Sequence, residues 1–322
     1  MKRKVIFDTD PGIDDTMAML WAHASSQIEL VGITTVFGNA TIENATRNAL
    51  YIKQRFGLTA DVAVGADTPL VVAAGEPTTF VHGDNGLGDI EIPAGDYQGI
   101  DKRAAHDYII DSLKAHPGEI TLIAVGRLTN LALAVEKDPS IASLVKEVII
   151  MGGAFGYNGH TGNVTPFAEA NIIGDPHAAD RVMTTDWPVT VVGLDVTHQT
   201  VMTSDYIDRL RMNSASYGEF IYQITRFYAD FHKKVAGMDG FYVHDSSAIA
   251  YAIAPELFKV KEGAVRVITE GPAMGHTLLK EGDKRYPIDE WSGKPKQRVC
   301  VEVDDKGLLE LYMATMTQRA AL

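Results

Sequence analysis

Six short apolar or β-branched runs, KVIFD, IELVGITTVFG, VAVG, ITLIAVG, VKEVIIMGG and VTVVGLD, recur between longer helical patterns along the first 195 residues. Runs this apolar belong to strands covered on both faces, and strands that alternate with helices are joined by βαβ crossovers. A chain so patterned must build an open, mostly parallel sheet with helices on either side.

The intervening segments DDTMAMLWAHA, NATRNALYIKQRF, AAHDYIIDSLKAH, NLALAVEKD and PHAADRVMTT carry apolar residues at three- and four-residue spacing and supply those helices. From about Ser204 to Ala254 the pattern turns almost wholly helical, and AVRVITE and QRVCVEVD then read as strands before a closing helix, KGLLELYMATMTQRA. No repeat, low-complexity tract or linker divides the chain. The expected architecture is therefore one α/β domain spanning residues 1–322, its central sheet flanked by helices and carrying a helical insertion.

Charge narrows the partners. With 29 basic and 42 acidic residues the formal net charge is -13, which would repel both nucleic acid and an anionic membrane surface. The one cysteine, Cys300, sits in the apolar stretch RVCVEV and reads as a small buried side chain, in keeping with a reducing cytoplasmic setting. The opening MKRKVIFD has only three apolar residues in a row, too few for a signal-peptide core, and no stretch approaches the ~18 apolar residues of a membrane span.

Several motifs share one position, where a strand gives way to a loop: FDTDPGIDD, TTVFGN, IAVGRLTN, IIMGGAFG and VGLD. Ligands of open α/β sheets bind beyond the carboxyl ends of the strands, so these loops should converge on one crevice. The first of them crowds Asp8, Asp10, Asp14 and Asp15 into eight positions. A helix N-terminus favours negative charge at Asp14 and Asp15, but it cannot absorb all four carboxylates. Hard, irregularly spaced oxygen ligands suit calcium or magnesium, and the sequence has no Cys/His quartet for zinc.

Taken together, DTDPGIDD, TTVFGN at 34–39, HGDNG at 82–86, GRLTN at 126–130, MGG at 151–153, AEANIIGDPHAA at 168–179 and HD at 244–245 resemble the inosine-uridine-preferring nucleoside hydrolases, in the same order and over nearly the whole chain. The resemblance implies calcium-dependent hydrolysis of the N-glycosidic bond of free purine or pyrimidine ribonucleosides by a homodimer or homotetramer. It further implies a Ca2+ held by Asp10, Asp15, Asp245 and the backbone carbonyl of Val125, with Asp8 behind them. Asp10 would be the general base for the attacking water. Asp14, Asn39, Asn163, Glu169 and Asn171 would hold the ribose, His82, Met151, Tyr228 and His232 would line the base side, and His244 would protonate the leaving base.

Three positions depart from the family pattern: His232 stands where a tyrosine is expected, Ala170 where phenylalanine is usual, and Arg127 where a small residue or proline is common. Ala170 would enlarge the pocket floor, and Arg127 reads as a surface charge. Two rival functions fit the sequence less well. A haloacid-dehalogenase-type phosphohydrolase shares a strand followed by DTD, but Ile13 and Asp14 follow Asp10-Pro11-Gly12 where that chemistry needs a threonine. A non-catalytic nucleoside-binding protein would need the proposed catalytic residues to be missing, and they are present.

Overall fold

The computed structural model describes residues 2–95 and 97–318. Its strands are β1 (Arg3–Thr9), β2 (Ile28–Thr35), β3 (Asp61–Val64), β4 (Ile120–Ala124), β5 (Glu147–Met151), β6 (Val189–Val192), β7 (Val201–Met202), β8 (Phe241–Tyr242), β9 (Phe258–Val267), β10 (Thr277–Glu281) and β11 (Lys296–Val303). Nine of them form one sheet in the order β10-β9-β11-β6-β5-β4-β1-β2-β3, and β7 pairs with β8 in a separate antiparallel ribbon. From β11 to β3 all neighbours run parallel, while β9 and β10 join the far edge antiparallel.

All six expected early strands are present, because each presents apolar side chains to both layers. In β1, Val5 and Phe7 enter one core and Ile6 the other, all three fully buried. The first core lies under the helices Ile13–Ala24, Gly218–Ala236, Asp245–Ile253 and Asp305–Thr317, and the second under Ala105–Ala115, Thr129–Lys137 and Pro176–Thr184. The helical insertion resolves into Ser204–Asn213 and Gly218–Ala236, the latter ending on a left-handed glycine, Gly237. No helix among the described residues is long and apolar enough to cross a membrane. Cys300 is fully buried in β11, as expected.

Three strands have no counterpart in the sequence reading. β10 is an edge strand of five residues, buried at Thr277, half-covered over the next three and exposed at Glu281, and β7 and β8 are two residues each, all too short or too polar to show a period.

Chain order reverses where β1 lies between β4 and β2, so the loops after β1 and β4 part to opposite sides and leave a crevice. The helix Ile13–Ala24 starts in that crevice and is fixed from below by Trp21, fully buried with its ring edge-on to Tyr312 at 4.8 Å. Trp21→Ala should cost about 3–5 kcal/mol of unfolding free energy, read from the shift of a urea denaturation midpoint.

Candidate active site

The four clustered aspartates part company on folding. Asp8, still within β1, shares the side of Ile6, and its Oδ2 accepts from the Thr34 hydroxyl and from Asn130 Nδ2 at 2.6 and 2.8 Å. Asp10 lies just past the strand, where Oδ2 accepts from the Asn39 backbone N–H and from Arg127, each at 2.6 Å. Asp15, in the first helical turn, receives the Thr9 hydroxyl at 2.6 Å, the Gly12 N–H at 3.0 Å and Asn39 Nδ2 at 2.8 Å. Asp14 faces the open crevice. The distant Asp245 starts the helix Asp245–Ile253 and comes to this cluster from the opposite side of the molecule's chain order. Carboxylate oxygens of Asp14, Asp15 and Asp245 lie within 4.8 Å of one another, close enough to share one cation.

Burial sets the electrostatics. It pushes the carboxyls of Asp10 and Asp245 well above their usual range, and neighbouring aspartates add to the rise. Asp14 is raised to about 8, first by burial and then by Asp15, and Asp8 to about 7 by burial against its Thr34 and Asn130 hydrogen bonds. Oδ1 of Asp10 and Oδ1 of Asp14 are buried and meet no hydrogen-bond donor among the described residues. Acidic oxygens that are crowded, dry and undonated fit a hard divalent cation, whose charge would hold them ionised.

Above this floor is a cavity of about 340 Å³. Asp14, Asn39, His82, Val125, Met151, Asn163, Glu169, Asn171, Tyr228, His232, His244 and Asp245 all line it, whereas Asp10 and Asp15 sit beneath. The wall from β5 and the following loop is tightly wired. Glu169 caps a short helix, accepting from the N–H groups of Asn171 and Ile172, and also from Gly153, at 2.9 to 3.1 Å. Asn171 Nδ2 donates to the carbonyls of Val125 and Met151 at 2.7 and 3.2 Å, so the Val125 carbonyl is oriented at the crevice by the same side chain that lines it. Asn163 is exposed at the rim and accepts from the Ala170 N–H at 3.1 Å. Ala170 lines the cavity, as its small size suggested.

The roof is built from rings. His82 ends the short helix Thr79–His82, accepts the Ile13 N–H on Nδ1 at 3.2 Å and stacks on Tyr228, with burial holding its pKa down to about 4. Tyr228 and His232 stand one turn apart on Gly218–Ala236, rings edge-on at 4.5 Å. The His244 Nδ1 is 2.8 Å from the Thr197 hydroxyl, and burial lowers its pKa.

Arg127 overturns one expectation. It is not a surface charge: only 7% exposed, it is ion-paired with Asp10 in the floor itself. His198, Tyr242, Phe80, Phe231, Val164 and Thr78 also line the cavity and were not anticipated. The sequence signal for His198 was the run VGLD continued to VTH, since the chain after β6 stays at the crevice. Asp195 in that run is structural, its carboxylate receiving the Phe155 and Tyr157 N–H groups at 2.9 and 2.7 Å.

A buried acidic floor at the switch point of a parallel sheet, neutral amide and carboxylate walls and a ring-lined roof define an α/β enzyme for a small polar ligand carrying one planar group. The sequence profile of the inosine-uridine preferring nucleoside hydrolases matches residues 5–310, and the chain belongs to that family. It is 42% identical to uridine nucleosidase 1 of Arabidopsis thaliana over 97% of this chain and 93% of that one. Identity is 40% to the inosine-uridine preferring nucleoside hydrolase of Crithidia fasciculata, over 90% of each chain. Among solved structures, a plant nucleoside hydrolase superposes with a TM-score of 0.95 at 38% identity, covering 99% of this chain and 100% of the other. The purine-preferring ribonucleoside hydrolase of Gardnerella vaginalis follows at 0.89 and 34%, covering 98% of each.

The motif GRLTN has its own structural task. Asn130 is fully buried and donates to both Asp8 Oδ2 and the Thr35 carbonyl while accepting the Ala66 N–H at 2.9 Å, so it ties the ends of β1, β2 and β3 together. Asn130→Ala strands these groups and should cost about 1–3 kcal/mol for each one left unpaired, measured by chemical denaturation.

Proposed function

We propose that residues 1–322 act as one catalytic domain that hydrolyses the N-glycosidic bond of free purine or pyrimidine ribonucleosides to ribose and base. The observation that carries this reading is the polarity of this cavity, anionic and hydrogen-bonding at the floor, ring-lined at the roof. A Ca2+ would be held by Asp15 and Asp245, whose oxygens converge with those of Asp14, together with Asp10 through its undonated Oδ1 and the Val125 carbonyl, and would supply positive charge and a hard anchor for oxygen.

The chain's own groups do the rest. Asp10 has Oδ2 tied down and Oδ1 free, so Oδ1 is the atom that takes a proton from the attacking water. Asp14, Asn39, Asn163, Glu169 and Asn171 hold the ribose hydroxyls, and their negative field stabilises the positive charge that grows at the anomeric carbon as the bond breaks. His82, Met151, Tyr228 and His232 enclose the base, and His244 delivers a proton to it. Among the described residues lining the cavity there is no Lys or Arg, which disfavours a phosphate-bearing substrate. The same reading takes the enzyme to be cytoplasmic and a homodimer or homotetramer.

Inosine and uridine should be cleaved at least about tenfold faster, in kcat/KM, than their 5'-monophosphates, because a dianion meets carboxylate walls with no Lys or Arg among the described residues lining the cavity. A chelator should abolish turnover and calcium restore it. A reducing-sugar assay over these substrates decides the matter, and equal rates for nucleoside and nucleotide would refute the reading.

Water attack and base departure are separate tasks, and His244 serves only the second. His244→Ala should slow inosine cleavage by about 10²- to 10⁴-fold while sparing p-nitrophenyl riboside, whose leaving group needs no proton. Equal loss on both substrates would assign His244 to positioning instead.

A further inference from the structure

Arg127 is a cation built into the base of an anionic site. It follows β4 directly, across the switch point from Asp10, and its Nη1 meets Asp10 Oδ2 at 2.6 Å. The chain makes room for it at two glycines. A Cβ on Gly38 would overlap both Arg127 Nη1 and Asp10 Oδ2, and a Cβ on Gly174 would stand 2.5 Å from Arg127 Nε. The guanidinium carbon also lies 5.9 Å from the Phe37 ring centre, so the group is packed as well as paired. Asn39's N–H is the second donor on the same oxygen, at 2.6 Å. Two donors thus converge on Oδ2, while Oδ1 meets no donor among the described residues.

We propose that Arg127 is a positioning residue that clamps Asp10 by one oxygen, so that Oδ1 alone is presented to the cation and the attacking water. The inference rests on the nucleoside hydrolase reading and names a device within it. A carboxylate without the clamp can turn both oxygens toward a divalent cation, which satisfies the cation equally well but takes away the free oxygen that must accept the proton. The clamp therefore trades some cation affinity for catalytic orientation. A side chain serving only stability, or only to hold the metal, would not separate those two quantities.

The experiment uses the full chain. Arg127→Met, Arg127→Lys and Gly174→Ala are compared with the unaltered protein in two measurements: calcium chloride titration of chelator-stripped protein by calorimetry, and kcat and KM for inosine at saturating calcium. Arg127→Met should bind calcium at least as tightly as the unaltered protein and lose about 10- to 100-fold in kcat with little change in KM. Arg127→Lys restores the charge without the planar fork and should recover part of that loss. Gly174→Ala keeps the charge and the side chain but pushes the guanidinium off its seat, so it should follow Arg127→Met and gives the answer even where Arg127→Met does not fold. A kcat within about twofold of the unaltered value in both Arg127→Met and Gly174→Ala would overturn the proposal. So would a calcium affinity that falls by more than about tenfold with kcat recovered once calcium saturates, since Arg127 would then be supporting the metal site. If the unaltered protein cleaves no nucleoside, the functional reading fails, and the calcium titration still decides the clamp: tighter binding in Arg127→Met sustains it, unchanged or weaker binding overturns it.

Discussion

Mutual repulsion among buried carboxylates is the constraint around which this molecule is arranged. Two like charges about 5 Å apart repel by roughly 3 kcal/mol at the effective dielectric of a protein interior. Asp14, Asp15 and Asp245 are that close, and Asp10 and Glu169 add their charges from the floor and wall. Such a cluster persists only if each carboxyl is bound by donors, shares a cation or keeps its proton, and the raised pKa values of Asp8 and Asp14 show how strongly the last is favoured without a cation. The donors are visible for Asp8, Asp15 and Glu169, which between them engage hydroxyls, amides and backbone N–H groups. Among the described residues they are missing for one oxygen each of Asp8, Asp10 and Asp14, and of these three Asp14 also belongs to the trio whose oxygens could share a cation.

The sheet supplies what the cluster needs. Parallel strands end together on one edge, so the segments after β1, β4, β5 and β6 reach the crevice without any of them having to travel. The switch between β1 and β4 opens a gap wide enough for Asp10 and Arg127 to face each other across it. The last carboxylate, Asp245, does not come from a strand of this sheet. It arrives on a helix packed against Ile13–Ala24, and the two helix starts are thereby held face to face.

Much of this was legible in the sequence because it was written in local periodicity. Strands covered on both faces, such as ITLIA and VTVV, show as unbroken apolar runs, and the strand-to-loop motifs fall where those runs end. β10 and the β7–β8 ribbon were not legible, since a two-residue bridge or a half-exposed edge strand has no pattern of its own and forms only when its partner is already in place. The fate of Arg127 was hidden for a related reason. A charged residue is normally exposed, and nothing within GRLTN says that Gly38 and Gly174, 89 residues before it and 47 after, leave the space that lets it in. His198 was missed because the strand-to-loop motif VGLD ends at Asp195, three residues short of it, and Asp195 itself holds a loop.

The division between floor and roof bears on which bond can break. In the proposed reading a glycosidic bond lies across this cavity with its sugar end among the carboxylates and its base end among rings whose pKa values loss of solvent holds down, as at His82 and the half-buried His198, both at about 4. Positive charge growing on the sugar is therefore favoured, and negative charge growing on the base is not opposed by an anionic neighbour on its own side. Turned end for end, the same molecule would develop each charge against the field that penalises it. In the proposed reading the cavity would select the orientation of the reacting bond through its electrostatics, and the individual hydrogen bonds would refine an alignment that the placement of the aspartates favours.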